Sequence, residues 1–414
     1  MELSSMQRIS VLAPDNTPLM PTKRTRAEKW AEQGKAEWVK TNLRIKAVRL
    51  LAEPAGRNTQ SIVVGVDPGK LYSGIAFQSA KATWFQVHLE LPSPKVRERM
   101  DNRRVLRRWS RSRRINRKVP FNKLNHREKR FDNRRQKKVP PSIKASRELE
   151  FRVVKELSKL FPIVAIGYEK VRADVDLTSQ RKGARSPKGF SPVMVGQAYA
   201  MERRGQIAPV YTRHGYAKDG NGTSQLRNAL GLIKSKEKSE QTPPTHAVDG
   251  IALACGYLVQ YRPFQQGRNH GPTWKGQVNI TSAPFVVIKR PPISRRQRHL
   301  IVPGKNGLRR KYGGTVTWHG FRKGDLVVAE MAAGRVSVGY VSSDTARHGS
   351  VSDFNWKRIG QFTASKVQLL DRATAAFWSL APRDCSSAGH RTPPPNVPIP
   401  PSPAARGRGG IGGF

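Results

Sequence analysis

Three carboxylates in this sequence stand where apolar segments end or begin. Asp67 and Glu169 each follow an apolar run typical of a buried strand. Asp249 lies at the start of an apolar helical segment, three residues after His246. Residues three apart on a helix share a face, so this histidine and aspartate can project toward one point. If the three segments form one α/β core, their carboxylates repel one another unless divalent cations neutralise them.

Hard oxygen ligands of this kind select Mg²⁺, with Mn²⁺ as the alternative. Two such ions about 4 Å apart suit in-line hydrolysis of a phosphodiester, because one activates water and the other stabilises the leaving oxygen. We therefore predict a two-metal site with Asp67, Glu169 and Asp249 as ligands. His246 would complete the catalytic set by orienting the water or protonating the leaving group.

Each of these residues also has an ordinary structural explanation. Asp67 begins an Asp-Pro-Gly sequence that suits a simple hairpin turn. Glu169 can be an exposed strand-end residue paired with a neighbouring cation, and His246 can cap its helix. Asp174 and Asp176 lie close enough in the chain to compete with Glu169 for the ligand role.

The composition of the 414 residues favours a polyanionic partner. Lys and Arg number 76 against 29 Asp and Glu, which gives a formal net charge of +47. A globule with this charge repels itself, and nucleic acid is the natural counterweight. We expect no membrane association, because no run approaches the roughly 18 apolar residues of a membrane span and no signal peptide pattern is present. Two distant cysteines, Cys255 and Cys385, argue against a disulfide framework or a cysteine zinc site, so we expect a reduced, cytoplasmic protein.

The basic residues are concentrated between Lys95 and Lys138, which contain 20 Lys and Arg and four acidic residues. Arginines recur there at helical spacing around most of the circumference. Like charges four residues apart destabilise an isolated helix, whereas bound phosphates would remove that penalty. We therefore predict a helix buried in folded nucleic acid. The predicted contacts are Arg99, Arg103, Arg104, Arg107, Arg108, Arg111, Arg113, Arg114 and Arg117.

The remaining elements flank these features. Residues 6–57 read as a small basic αβ module, with strands over 6–12 and 39–51 and a helix over 25–33. Ser142 is a candidate N-cap for an amphipathic helix that precedes the Glu169 strand. Residues 178–244 read as connecting or binding segments. Beyond residue 261, short strands separated by Gly-rich turns predict a small β-barrel, at 284–289, 314–318, 325–331, 335–341 and 354–362.

The motifs together carry a resemblance to a known family. Val-Gly-Val-Asp67-Pro-Gly, Ile-Gly-Tyr-Glu169 and His246-Ala-Val-Asp-Gly resemble the three split pieces of a RuvC nuclease domain, which has an RNase H-like fold. The arginine-rich helix resembles the bridge helix of CRISPR type II effectors and their transposon-encoded relatives. Residues 18–21, Pro-Leu-Met-Pro, resemble the signature of the PLMP domain of IscB and IsrB proteins.

The shorter of these two families is the better match. IscB carries an HNH nuclease between the second and third RuvC pieces, whereas this chain has a single histidine there, His214. The zinc-ribbon cysteines of TnpB relatives are also missing. The chain therefore resembles the IsrB family, which lacks HNH.

The resemblance implies an α/β protein with a split RNase H-like RuvC domain, an arginine-rich bridge helix, an N-terminal PLMP module and a small C-terminal β-barrel. The implied boundaries are 1–57 for the PLMP domain, 58–94 for RuvC segment I, 95–141 for the bridge helix and basic linker, 142–185 for RuvC segment II, 186–244 for a connecting segment without HNH, 245–262 for RuvC segment III, 263–383 for a β-rich domain that reads a target-adjacent motif, and 384–414 for a disordered Pro/Gly/Arg tail. Candidate DNA contacts in the β-rich domain are Arg295, Arg296, Arg298, Arg309, Arg310 and Lys311.

The implied activity is that of an Mg²⁺-dependent nickase guided by an OMEGA RNA. The guide pairs with one strand of double-stranded DNA, and the RuvC site cleaves the displaced strand. One protein copy per guide RNA is expected. Two alternatives stay open at this point. One is a structure-selective nuclease that acts without RNA, and the other is a non-enzymatic RNA-binding protein with structural carboxylates.

Overall fold

The computed structural model describes residues 8–43, 45–112, 120, 122, 139–171, 192–266, 269–290, 319–331, 334–372 and 378–380. These residues divide into two compact units. The first unit holds the described residues of 8–91 and 147–288, and the second holds those of 92–146 and 289–380. In the described part of the chain, no helix is both long and apolar enough to cross a bilayer.

The described helices are α1 (Arg24–Glu32), α2 (Ser93–Ser112), α3 (Pro141–Ser158), α4 (Pro192–Gly205), α5 (Thr223–Ala229) and α6 (Ala247–Leu258). The described strands are β1 (Arg8–Leu12), β2 (Thr22–Lys23), β3 (Ala36–Lys40), β4 (Lys46–Leu50), β5 (Ile62–Pro68), β6 (Tyr72–Gln78), β7 (Thr83–Glu90), β8 (Ile163–Lys170), β9 (Val210–His214), β10 (Gln260–Gln266), β11 (Asn269–Lys275), β12 (Phe285–Lys289), β13 (Leu326–Glu330), β14 (Val336–Asp344), β15 (His348–Ser352), β16 (Arg358–Thr363), β17 (Val367–Asp371) and β18 (Trp378–Leu380).

The N-terminal module is a four-stranded sheet in the order β2-β1-β4-β3 with helix α1. The sequence pattern predicted one strand over residues 39–51, which is wrong, because the chain forms the antiparallel pair β3 and β4 there. A turn divides them at Thr41, whose hydroxyl accepts from the Ile45 amide at 3.0 Å and donates to the Ile45 carbonyl at 2.9 Å. These two bonds take up backbone groups that a continuous strand would pair.

The main sheet of the first unit has the order β12-β7-β6-β5-β8-β9. Strands β5, β6 and β7 form an antiparallel meander, and β8 and β9 run parallel to β5. Counted along the chain without β12, the five strands have the order 3-2-1-4-5, which is the RNase H-like arrangement. Strand β5 is buried along its apolar run, which explains its nearly continuous β-branched sequence.

Helix α6 lies directly against this sheet because glycines remove the side chains between them. A Cβ on Gly65 of β5 would come within 1.8 Å of the Gly250 carbonyl oxygen, and a Cβ on Gly74 of β6 within 1.9 Å of the His246 carbonyl oxygen. Only glycine permits this approach. The first turn of α6 is thereby held near the ends of β5 and β6.

The segment read from the sequence as a connection, residues 186–244, contributes more than a connection. It carries α4, β9 and α5, and β9 is the strand that extends the main sheet beyond β8. All five residues of β9 are half-buried or exposed. This edge position explains why the strand lacks the alternation that would have predicted it.

The second unit contains a five-stranded antiparallel sheet in the order β16-β15-β14-β13-β17. Its buried apolar residues include Val327, Val341, Val351 and Phe362. The predicted strands at 325–331, 335–341 and 354–362 correspond to β13, β14 and β16, whereas β15 and β17 were not predicted. Strands β16 and β17 are the edges among the described residues, whose ladders form an open sheet, and the small β-barrel stays a prediction.

Two further predictions for the C-terminal region have different outcomes. The predicted strand at 284–289 forms as β12, but it pairs in parallel with β7 in the main sheet and does not join the C-terminal sheet. The predicted strand at 314–318 and the tail over 384–414 lie outside the described residues.

Candidate active site

Asp67 and Glu169 lie near the C-terminal ends of β5 and β8, which are neighbouring interior strands of the main sheet. Strands β5 and β8 are parallel neighbours, and Val66 pairs with Tyr168 in their register. The two carboxylates are the next residues along these strands. Asp249 lies in the first turn of α6, which packs on β5. The structure therefore brings the three predicted ligands close enough for the charges of Glu169 and Asp249 to act on Asp67.

Burial and the closeness of the three carboxylates raise the pKa values of Asp67 and Glu169. Burial, followed by the charges of Glu169 and Asp249, raises the pKa of Asp67 well above its usual value. Burial and the charge of Asp249 also raise the pKa of Glu169. Both carboxyl groups are therefore protonated more readily than isolated carboxylates would be.

Two cations that the sequence analysis missed engage the third carboxylate. Arg227 of α5 donates from Nη1 to Asp249 Oδ1 at 2.6 Å, and the Lys234 ammonium group donates to Oδ2. Asp249 is almost fully buried. Burial lowers the pKa of Lys234, but the charge of Asp249 and its hydrogen bond outweigh that effect and raise it. The sequence did not indicate these partners, because Arg227 and Lys234 lie in residues 186–244, which we interpreted as a connecting segment.

The carboxylates fit divalent cations by their chemistry. Within the described ranges, no three or more His, Cys, Asp or Glu side chains are arranged as a metal-binding group. Arg227 and Lys234 take one carboxylate oxygen of Asp249 each. The donors are hard oxygens, and burial and mutual repulsion raise the pKa values of Asp67 and Glu169, an effect that a bound divalent cation would oppose.

His246 precedes the first residue of α6 and is nearly buried. Its Nε2 donates to the Lys238 carbonyl at 3.1 Å, because a carbonyl can only accept. Burial lowers the pKa of His246, so the ring is neutral with Nδ1 as an acceptor. Its ring centroid lies 5.4 Å from that of Tyr72 and 5.2 Å from that of His88.

His88 of β7 is a second histidine that the sequence analysis missed. It is fully buried, and neither ring nitrogen has a hydrogen-bond partner among the described residues. Burial, followed by the nearby His246, lowers the pKa of His88 to about 4. The ring is therefore neutral at physiological pH.

Helix α2 confirms the helix predicted from the arginine spacing. Arg104, Arg107 and Arg108 are exposed, and Arg99 and Arg103 are half-buried. Val105 on the same helix is 45% exposed, so this position is not part of a buried apolar stripe. The side chains of Arg111, Arg113, Arg114 and Arg117 lie outside the described residues. The same holds for Asp174, Asp176, Arg295, Arg296, Arg298, Arg309, Arg310 and Lys311.

Similarity to known proteins covers part of the chain. The family model of the RRXRR proteins matches residues 9–189, less than half of the chain. The solved structure of T. thermophilus RuvC in complex with a Holliday junction substrate is 14% identical, with 47% of this chain and 91% of that chain covered and a TM-score of 0.24. A Thermus thermophilus RuvC structure is also 14% identical, with 47% of this chain and 92% of that chain covered and a TM-score of 0.23. The comparison with curated proteins gives no match. The chain is thus similar to RRXRR proteins over the region that contains Asp67 and Glu169.

Proposed function

We propose that this protein is an RNA-guided, Mg²⁺-dependent endonuclease of the RuvC type that nicks DNA. A guide RNA pairs with one strand of double-stranded DNA, and the carboxylate site hydrolyses a phosphodiester of the displaced strand. The observation that carries this proposal is the placement of Asp67 and Glu169 on adjacent parallel strands beside Asp249, within a sheet of RNase H-like order. The similarity to RRXRR proteins over residues 9–189 supports it.

Each site residue has a role in this reaction. Asp67, Glu169 and Asp249 would hold two divalent ions, which when bound supply an activated water and stabilise the leaving oxygen. Lys234 would leave Asp249 as the metal binds and would then lie near the phosphate of the strand. His246 is neutral with its proton on Nε2, so Nδ1 has a lone pair that can accept a hydrogen bond, which suits orientation of the water.

The basic surface supports a structured RNA as the partner. Exposed arginines of α2, within a chain of net charge +47, suit phosphates on several sides of the helix. Sequence recognition is then delegated to base pairing, and the protein holds the heteroduplex through its backbone. We assign the C-terminal unit to the target-adjacent motif of the DNA and expect one protein copy per guide in the cytoplasm.

Copurification and guided cleavage test this proposal. The protein, expressed with its neighbouring RNA locus, should copurify with one defined RNA species and nick a supercoiled plasmid that matches the guide. Asp67→Ala should abolish nicking, whereas Glu148→Gln, a carboxylate of α3 paired with Arg203, should retain it. Equal nicking by Asp67→Ala would refute the site.

The alternatives predict other results. Cleavage of branched DNA after ribonuclease treatment would favour the RNA-independent nuclease. Unchanged RNA binding by Glu169→Ala, with no metal-dependent cleavage by the wild type, would favour a non-enzymatic RNA-binding protein.

A further inference from the structure

A cluster of three buried charges lies behind the carboxylate site. Arg147 and Glu150 come from α3, and Arg204 comes from α4. The side chains of Glu150 and Arg204 are 0% exposed, and that of Arg147 is 13% exposed. Burying three charges costs solvation free energy, and apolar residues of similar volume often serve stability as well. Stability alone is therefore a weak explanation for this cluster.

Hydrogen bonds in the cluster converge on Glu150. Its Oε1 accepts from the Ser73 hydroxyl and from Arg147 Nη1, each at 2.5 Å. Its Oε2 accepts from Arg204 Nη2 at 2.7 Å, and Arg204 Nη1 donates to the Ala200 carbonyl at 3.0 Å. Both carboxylate oxygens are thus engaged from β6, α3 and α4.

Two contacts join the cluster to the site. Arg147 Nη2 donates to the Gly69 carbonyl at 3.0 Å, two residues beyond Asp67. The Arg204 guanidinium carbon lies 4.7 Å from the ring centroid of Tyr168, the residue before Glu169. The cluster therefore contacts the backbone of Gly69, two residues after Asp67, and the side chain of Tyr168, one residue before Glu169.

The turn after Asp67 is tight, so the hydrogen bond from Arg147 to this turn also affects the position of Asp67. A Cβ on Gly69 would lie 2.0 Å from the Tyr72 carbonyl oxygen. A small movement of this turn would carry Asp67 with it. In addition, two guanidinium groups surround one carboxylate, so the cluster has an excess positive charge that favours ionised carboxylates nearby.

We propose that Arg147, Glu150 and Arg204 act as positioning residues that set the separation of Asp67 and Glu169 for divalent cation binding. This inference rests on the proposed function, because it assigns the carboxylates to metal. Partners that orient metal ligands from behind typically change metal affinity by about 10- to 100-fold when removed.

The same two helices provide a matched control. Arg203 of α4 and Glu148 of α3 form an ion pair at 3.0 Å, with side chains 30% and 20% exposed. The guanidinium group of Arg203 lies over the Phe151 ring, 4.2 Å from its centroid. Arg203→Met thus removes a charge next to Arg204 without removing a contact to Gly69 or Tyr168.

Mn²⁺ titration of the full chain, freed of nucleic acid, tests the inference. Binding is measured by electron paramagnetic resonance below the unfolding temperature, and Asp67→Asn defines the background from other sites. Arg147→Met should bind Mn²⁺ at least about tenfold more weakly than the wild type, and Arg203→Met should match the wild type. Arg147→Lys, which keeps the charge, should recover part of the affinity.

The outcomes separate this inference from the proposed function. Wild-type Mn²⁺ affinity in Arg147→Met, with only a lowered unfolding temperature, would make the cluster purely structural and overturn the inference. If Arg147→Met does not fold, Ser73→Ala replaces it, because this variant removes one hydrogen bond to Glu150, and unchanged affinity there would be equally decisive. Failure of the wild type to bind Mn²⁺ would overturn the proposed function and this inference together.

Discussion

Lys234 occupies a position for which the proposed divalent cation would compete. Its ammonium group contacts Asp249 Oδ2, and the charge of Asp67 also acts on it. Replacement of Lys234 by methionine keeps much of the side-chain volume and removes the competing charge. We therefore expect Lys234→Met to bind Mn²⁺ more tightly than the wild type and to be less stable when metal is absent.

The burial of the Lys234–Asp249 ion pair determines how much Mn²⁺ affinity and metal-free stability should change in Lys234→Met. The Lys234 side chain is 30% exposed and that of Asp249 is 4% exposed. Unit charges in contact at an effective dielectric of about 20 attract by about 4 kcal/mol. Desolvation of the partly buried pair offsets much of this, which leaves about 1–3 kcal/mol. A metal that no longer has to displace the lysine gains a similar amount, so the Mn²⁺ affinity should rise roughly 5- to 150-fold.

Two measurements check this prediction, with Lys236→Met as the control because Lys236 is exposed. Mn²⁺ titration gives the affinity, and urea unfolding in EDTA gives the stability of the metal-free protein. Lys236→Met should match the wild type in both. Weaker Mn²⁺ binding by Lys234→Met would mean that the lysine supports the metal site, and our reasoning about competition would be wrong.

Three further predictions concern stability in EDTA, measured by urea unfolding. Because the pKa of Asp67 is raised in the folded protein, the protein loses stability as pH rises above about 4 toward that pKa. The variant Asp67→Asn avoids this loss, so its stability should exceed that of the wild type by more at about pH 8 than at about pH 5. The pKa of His88, lowered to about 4 from 6.5, has the opposite sign, so His88→Phe should gain more at about pH 5 than at about pH 8. Gly65→Ala should cost at least about 1–3 kcal/mol because its Cβ would lie 1.8 Å from the Gly250 carbonyl oxygen, whereas Gly205→Ala, with open space around its Cβ, should not. A pH-independent effect in either of the first two variants, or a neutral Gly65→Ala, would contradict the corresponding argument.

The sequence predicted the elements that carry the three carboxylates because each contains a strong apolar pattern. Strand β5 and helix α6 are buried along most of their length and β8 along half of it, so hydrophobicity marked their positions and their ends. Asp67, Glu169 and Asp249 stand at those ends. Their proximity follows from parallel pairing of β5 with β8 and from packing of α6 on β5.

The charged partners could not be predicted in the same way. Arg227 and Lys234 lie among many other basic residues, and only the tertiary structure turns these two toward Asp249. Arg204 is fully buried, although a charged residue near a helix end usually indicates an exposed face. Local pattern also carries no information on which strand β12 pairs with, since its partner β7 is far away in the chain.

The order of the three carboxylates along the chain has a consequence for biosynthesis. Asp67 is made first and Asp249 last, and at roughly 5–20 residues per second the interval between them lasts on the order of ten seconds or more. The arginines of α2 are complete well before α6 leaves the ribosome. A nascent chain that already binds RNA through these arginines would therefore have no complete carboxylate site. Under the proposed function, protein fragments that end before α6 would bind RNA without cutting DNA.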